Sequence, residues 1–209
     1  MILLIAATKH EIPSFTNDEH NHVDILIGRI GIASTIYHLQ KRLHQIDYDI
    51  VIQAGIAGAF NTELNLGDVV LIKQDAFGDI GIEEKNNFTA VFQSGFADKN
   101  EFPFEDGWLI NKNKILNQLQ LKLTNAVTIN KVSDSLLQKE QLIKTFHPAV
   151  ESMEGAAFHY VCLQESIPFI QLRSISNYVG ERDKTKWKMR EAIENLNNEL
   201  NRIINTINI

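Results

Sequence analysis

Cysteine is nearly missing from this chain: one residue, Cys162, stands among 209. A lone thiol cannot close an internal disulfide, which fits a reducing compartment and excludes a disulfide-stapled scaffold. Positive charge is also scarce. Lys and Arg number 20 against 26 Asp and Glu, a net charge of −6 at pH 7. That balance argues against a nucleic-acid partner, whose phosphates call for a basic face. No apolar run approaches the ~20 residues of a membrane span, so no membrane partner is expected. The apolar start, Met1 to Ala7, ends at Thr8-Lys9-His10-Glu11. It lacks the basic lead and the length of a secretory signal, and a cytoplasmic protein is expected. The seven histidines show no metal spacing. His20 and His22 sit in a polar stretch, His159 reads as packing or surface, and neither metal nor other cofactor is expected. The glycines do not form a Gly-x-Gly-x-x-Gly series, so a nicotinamide site has little support.

What remains is an ordinary globular composition, with 44% hydrophobic and 22% charged residues. The length suits one α/β domain over residues 1–209 with a sizeable core. Ile2 to Ala6, Val23 to Ile27 and Ile50 to Gln53 read as short buried strands, the last running into a glycine loop at 55–58. Ile32, Ile36, Leu39, Leu43 and Ile46 follow helical spacing. A strand follows Gly67-Asp68, a helix is predicted over Leu109 to Leu121, and a strand over Ala126 to Val132. Helices are predicted over Glu154 to Glu165 and Asp183 to Ile207. Asp68 and Asp75 read as turn and strand-end residues. Alternating strands and helices imply a central mixed sheet flanked by helices. Residues 78–107 have no clear period, and so long an irregular stretch within a compact domain is usually functional or disordered.

Three segments carry the chemistry. Val150-Glu151-Ser152-Met153-Glu154-Gly155-Ala156-Ala157 places a carboxylate at the end of an apolar strand and the start of a helix. Arg173-Ser174-Ile175-Ser176-Asn177 ends a second strand with an amide. An acid beside a planar donor and acceptor suits a ribose diol and a purine edge. Gln53-Ala54-Gly55-Ile56-Ala57-Gly58-Ala59-Phe60 is either a tight turn or a loop that lets backbone approach a ligand. Taken alone, Glu154 could be a helix N-terminal acid favoured by the macrodipole, and Glu11 a solvated loop acid.

Together these segments resemble the nucleoside phosphorylase and nucleosidase family, specifically its water-using N-ribosyl hydrolases. The resemblance implies a nucleoside phosphorylase-like fold and a purine nucleoside as small-molecule partner. It implies that Ile56, Ala57 and Gly58 pass close to sugar and base, that Met153 packs on the ribose, and that Glu154 accepts from the 2′- and 3′-hydroxyls. Relatives often carry Glu where this chain has Ser152, which leaves the role of Ser152 open. Glu11 matches the carboxylate that orients and deprotonates water, and no phosphate-site pattern of the phosphorylases is visible. Adenine-cleaving members carry Asp where Asn177 stands. An amide offers one acceptor and one donor, the match for the N7–H and O6 of hypoxanthine.

That difference, with the stretch Asn177 to Asp183 and Trp187, turns the resemblance towards the futalosine hydrolases of menaquinone biosynthesis. Futalosine is then cleaved to hypoxanthine and dehypoxanthine futalosine. Methylthioadenosine/adenosylhomocysteine nucleosidase, phosphorolytic purine nucleoside phosphorylase and a silent nucleoside-binding protein are the alternatives. Arg182 and Trp187 read as ligand contacts or as structural residues. Phe104, with Phe102 and Pro103, reads as a wall for the 5′ substituent across a homodimer or higher homo-oligomer interface, or as packing of the loop on its own domain.

Overall fold

Apolar strands become the middle of one large mixed sheet because both of its faces are covered. The computed structural model describes residues 1–16, 22–132 and 134–207; His20 lies outside the described residues. In chain order the elements are β1 (Ile2–Ala6), α1 (Pro13–Thr16), β2 (Val23–Ile27), α2 (Ile32–Leu43), β3 (Ile50–Ala59) and β4 (Val69–Phe77). There follow β5 (Gly81–Glu84), β6 (Asn87–Ala90), β7 (Leu109–Ile110), β8 (Lys122–Thr128), α3 (Leu136–Phe146) and β9 (Val150–Ser152). Helix α4 (Gly155–Gln164), β10 (Phe169–Tyr178) and α5 (Met189–Thr206) complete the chain.

The sheet runs β10-β4-β8-β9-β3-β1-β2, with β7 added to β4. Since β10 also pairs in parallel with β3, the strands β3, β9, β8, β4 and β10 close on themselves. Alternation along β1 divides the core. Ile2, Leu4 and Ala6 pack with Leu196, Leu200 and Ile203 of α5, whereas Leu3 and Ile5 meet Leu39 of α2 and Phe158 and Cys162 of α4. Ala192, Leu196, Leu200 and Ile203 lie three or four residues apart, so α5 buries one stripe. No described helix is long and apolar enough to cross a membrane.

Several boundaries differ from expectation. The glycines at 55 and 58 lie inside β3 and not in a loop after it. The helix predicted over Leu109 to Leu121 is instead β7 and a 3₁₀ turn at Lys114–Gln118. The side chain of Asn111 donates to the Phe169 carbonyl at 2.7 Å, and the side chain of Asn113 accepts from the amide of Ile115, so two asparagines fix a break where apolar spacing suggested continuity. Strand β8 begins at Lys122 and ends at Thr128, not at Val132. Helix α3, capped by Ser135 on the amide of Gln138, was not anticipated. The stretch 78–107 contains the β5–β6 hairpin, and the final helix starts at Met189 after a 3₁₀ turn at Lys184–Lys186. Asp75, expected at a strand end, lies within β4 and is fully buried.

Candidate active site

The carboxyl ends of β1, β3, β9 and β10 open onto a cavity of about 420 Å³, a size that small ligands occupy. It brings together Glu11, Ile56, Ala57, Gly58, Ser152, Met153, Glu154, Asn177, Arg182 and Trp187. Phe104 is the exception. Its ring packs against Phe77, Phe92 and Tyr160 at centroid distances of 6.4, 5.0 and 6.0 Å. It does not line the cavity of its own chain, and an aromatic cluster on its own domain accounts for its position.

Glu11 follows β1 in a turn and is buried, not solvated. One carboxyl oxygen accepts from the Thr8 amide at 2.9 Å and the Thr8 hydroxyl at 3.3 Å; the other accepts from the Ile56 amide at 3.3 Å. Burial pushes its pKa up, while the Arg173 guanidinium and the two amides pull it down. Glu154 occupies the N-cap of α4 but makes no side-chain cap bond. Its carboxylate turns into the cavity instead. One oxygen accepts from the Gly31 amide at 3.1 Å, and the other lies 3.7 Å from Nη1 of Arg173. Gly31 presents that amide with φ 92°, a conformation available to glycine without a Cβ penalty.

Arg173 was missed as a site residue, yet the site is organised around it. It is 1% exposed in the middle of an apolar strand. A charge there must be paired, so an Arg within Phe169-Ile170-Gln171-Leu172-Arg173-Ser174-Ile175 was the available signal. Its Nη2 donates to Oε1 of Gln53 at 2.8 Å. Gly55 leaves the space it needs: a Cβ at that position would lie 2.3 Å from Nη1 of Arg173 and 3.0 Å from Oε1 of Glu11. The guanidinium therefore lies 3.7 Å from the Glu154 carboxylate and close enough to Glu11 to favour its charged form.

A buried set beneath the cavity holds the start of α4. Asp75 accepts from the Thr128 hydroxyl at 3.0 Å, the Ala76 amide at 2.9 Å and Nε2 of Gln171 at 3.2 Å. The Thr128 oxygen in turn accepts from the Ala156 amide at 2.7 Å. Burial raises the Asp75 pKa to about 7 against the pull of these partners. Ser152, which also lines the cavity, accepts from the Gly155 amide at 3.2 Å. His159 is wholly buried with Nδ1 2.9 Å from the Leu109 carbonyl, and burial lowers its pKa to about 4. It is a packing residue.

At the other end of the cavity the Asn177 oxygen accepts from the Ser176 hydroxyl at 2.8 Å and its nitrogen donates to the Tyr178 carbonyl at 3.1 Å. Each amide atom keeps one further hydrogen-bonding valence. Arg182 stacks over Trp187 at 5.5 Å, and the indole nitrogen donates to the Glu181 carbonyl at 2.9 Å. A second carboxylate that sequence reading left unassigned, Glu151, also lines this end. Among the described residues no group of three or more His, Cys, Asp and Glu is placed to hold a metal ion.

The model of the phosphorylase superfamily matches residues 14–207. Futalosine hydrolase of Thermus thermophilus is 30% identical over 153 residues, 72% of this chain and 67% of that protein. 5′-Methylthioadenosine/S-adenosylhomocysteine nucleosidase of Colwellia psychrerythraea is 27% identical over 191 residues, 84% of this chain and 75% of that protein. The match spans about two-thirds of the length of the futalosine hydrolases from Thermus thermophilus and Streptomyces coelicolor. The solved futalosine hydrolase of Helicobacter pylori superposes with a TM-score of 0.81 at 17% identity, covering 99% of this chain and 97% of that one. At that identity the likeness concerns the fold.

Proposed function

The chain belongs to the phosphorylase superfamily, and from that premise we propose that it is an N-ribosyl hydrolase that releases hypoxanthine from futalosine, serving menaquinone synthesis. The observation that carries the hydrolytic reading is the pair of buried carboxylates, Glu11 and Glu154, both facing Arg173 across the space left by Gly55. One guanidinium balances only one of the two carboxylates, and the excess negative charge disfavours phosphate and suits water as nucleophile.

The roles proposed for the cavity residues combine the family resemblance with their positions. Glu154 accepts from the 2′- and 3′-hydroxyls, and its charge stabilises the positive charge that develops at C1′. Glu11 takes a proton from water as its oxygen bonds to C1′, while the C1′–N9 bond breaks and its electron pair leaves with the base. The base takes up a proton at N7 from solvent, because the Asn177 amide cannot act as an acid. Arg173 lies beside both carboxylates, and its charge favours the ionised form of Glu11 against the effect of burial. Met153 packs on the sugar, and Ile56 to Gly58 supply backbone beside sugar and base. Asn177 matches the N7–H and O6 edge of a 6-oxopurine, with Arg182 and Trp187 beside the base. The 5′ side is completed by the 78–107 segment of a second copy, on which Phe96 and Phe102 stand 76% and 66% exposed.

Release of free base from futalosine, methylthioadenosine and inosine, measured with and without phosphate, tests this reading. Hypoxanthine should appear fastest from futalosine and at a rate indifferent to phosphate. Phosphate-dependent release, or a preference for methylthioadenosine, would replace it with one of the other two activities.

A further inference from the structure

Glu151 is 8% exposed and faces the cavity, and its side-chain carboxyl accepts no hydrogen bond from any described residue. The reaction described above does not use it. Its place in the sheet is informative. Asn177 of β10 pairs with Gly58 of β3, and Gly58 pairs with Glu151 of β9. The three form one row across adjacent strands, with Asn177 and Glu151 roughly 10 Å apart at two strand spacings. The register shifts between Ile175 and Asn177, and beyond that irregularity both side chains line the one cavity. The middle position has no side chain, and a Cβ there would lie 3.3 Å from Nδ2 of Asn177. The row is thus an amide and a carboxyl flanking a strip of bare backbone.

We propose that Glu151 is a second base-reading residue, accepting the N1–H of a 6-oxopurine that lies over Gly58 with its N7 and O6 edge towards Asn177. The proposal rests on the hydrolase reading above and deepens its base specificity. Hypoxanthine has a donor at N1, which an ionised carboxylate accepts; adenine has an acceptor there and would leave two acceptors facing each other. The environment of the group agrees. Burial raises the Glu151 pKa to about 7, against Arg182 from the β10–α5 connection and Lys139 from α3, with Asp79 beyond β4 adding to the rise. A buried carboxyl without a donor gains most from one delivered by the ligand, and such a bond favours the charged form.

Titration calorimetry of hypoxanthine and adenine at pH 7, in buffers of differing ionisation enthalpy, tests the assignment. Hypoxanthine should release on the order of half a proton as Glu151 ionises, and Glu151→Gln should remove that release. A Gln amide can present either its oxygen or its NH₂, so the affinity ratio of hypoxanthine to adenine should fall by about tenfold or more. On the unsubstituted protein, 1-methylhypoxanthine, which lacks the N1–H, should cause no release of this proton, a readout that does not depend on how the variant folds. Equal proton release from native protein and variant, or from hypoxanthine and its 1-methyl derivative, would overturn the role of Glu151 and leave the hydrolase reading standing. If hypoxanthine fails to bind the native protein, both are overturned.

Discussion

Replacing Glu11 by Gln probes the proposed water-activating base most sharply, and the structure fixes what else the change does. The native carboxylate accepts from the Thr8 amide and hydroxyl through one oxygen and from the Ile56 amide through the other. Gln has one carbonyl oxygen and one NH₂, so one of the two amides must face a donor. Leaving a buried amide unpaired costs about 1–3 kcal/mol. Against that, the variant no longer buries a charge beside Glu154. The two effects oppose each other, and stability should move by no more than about 2 kcal/mol. Turnover is different, because an amide has no useful basicity. Loss of the base should lower kcat by ~10² or more, with KM changing much less. The pH profile adds a second readout. Burial raises the Glu11 pKa above 4.5, and the base must be ionised to act. Activity of the native protein should therefore fall as pH drops through a value above 4.5, and the residual activity of Glu11→Gln should lack that limb. Hypoxanthine release followed at saturating futalosine, with a thermal melt as control, gives all three quantities. A folded variant with near-native kcat would show that water is activated elsewhere.

Two further outcomes follow. Glu154→Gln should lower kcat/KM by ~10² or more by weakening the contacts to the diol and to the charge at C1′; a 2′-deoxy substrate should penalise the native protein more than the variant, and equal penalties would remove Glu154 from the ribose. The raised pKa values of Asp75 and Glu151, each about 7, make a stability prediction of unusual sign. A carboxyl whose folded pKa exceeds its unfolded one binds more protons in the fold, so its contribution is present below the unfolded value, near 4, and is lost as pH rises through about 7. Denaturant midpoints between pH 4 and 8 should show this, with a flatter dependence in Asp75→Asn; stability from this group rising over that range would contradict the assignment.

Much of the fold was legible because the sheet is buried on both faces. Ile2 to Ala6 had no alternative to a central strand, and the stripe of α5 follows from its spacing. The misreadings share a cause: tertiary contacts overrode local pattern. Gly55 and Gly58 look like a turn in sequence, but one makes room for Arg173 and the other for Asn177 and Val179. Asn111 reaches a carbonyl on β10, 58 residues away, and no window along the chain contains that bond. The segments around Glu11, Glu154 and Asn177 were visible as motifs and do meet at one cavity. Arg173 and Glu151 stood within those segments and went unassigned, because only the packed sheet turns one towards two carboxylates and leaves the other without a donor.

The most direct test of the central claim is base choice. It compares kcat/KM for futalosine with that for methylthioadenosine, in the native protein and in Asn177→Asp side by side. The native protein should favour futalosine, and the variant should move towards the 6-amino substrate while losing hypoxanthine release, because a carboxylate accepts two donors where the amide matched a donor and an acceptor. A native preference for methylthioadenosine, or a ratio unmoved by the substitution, would contradict the account.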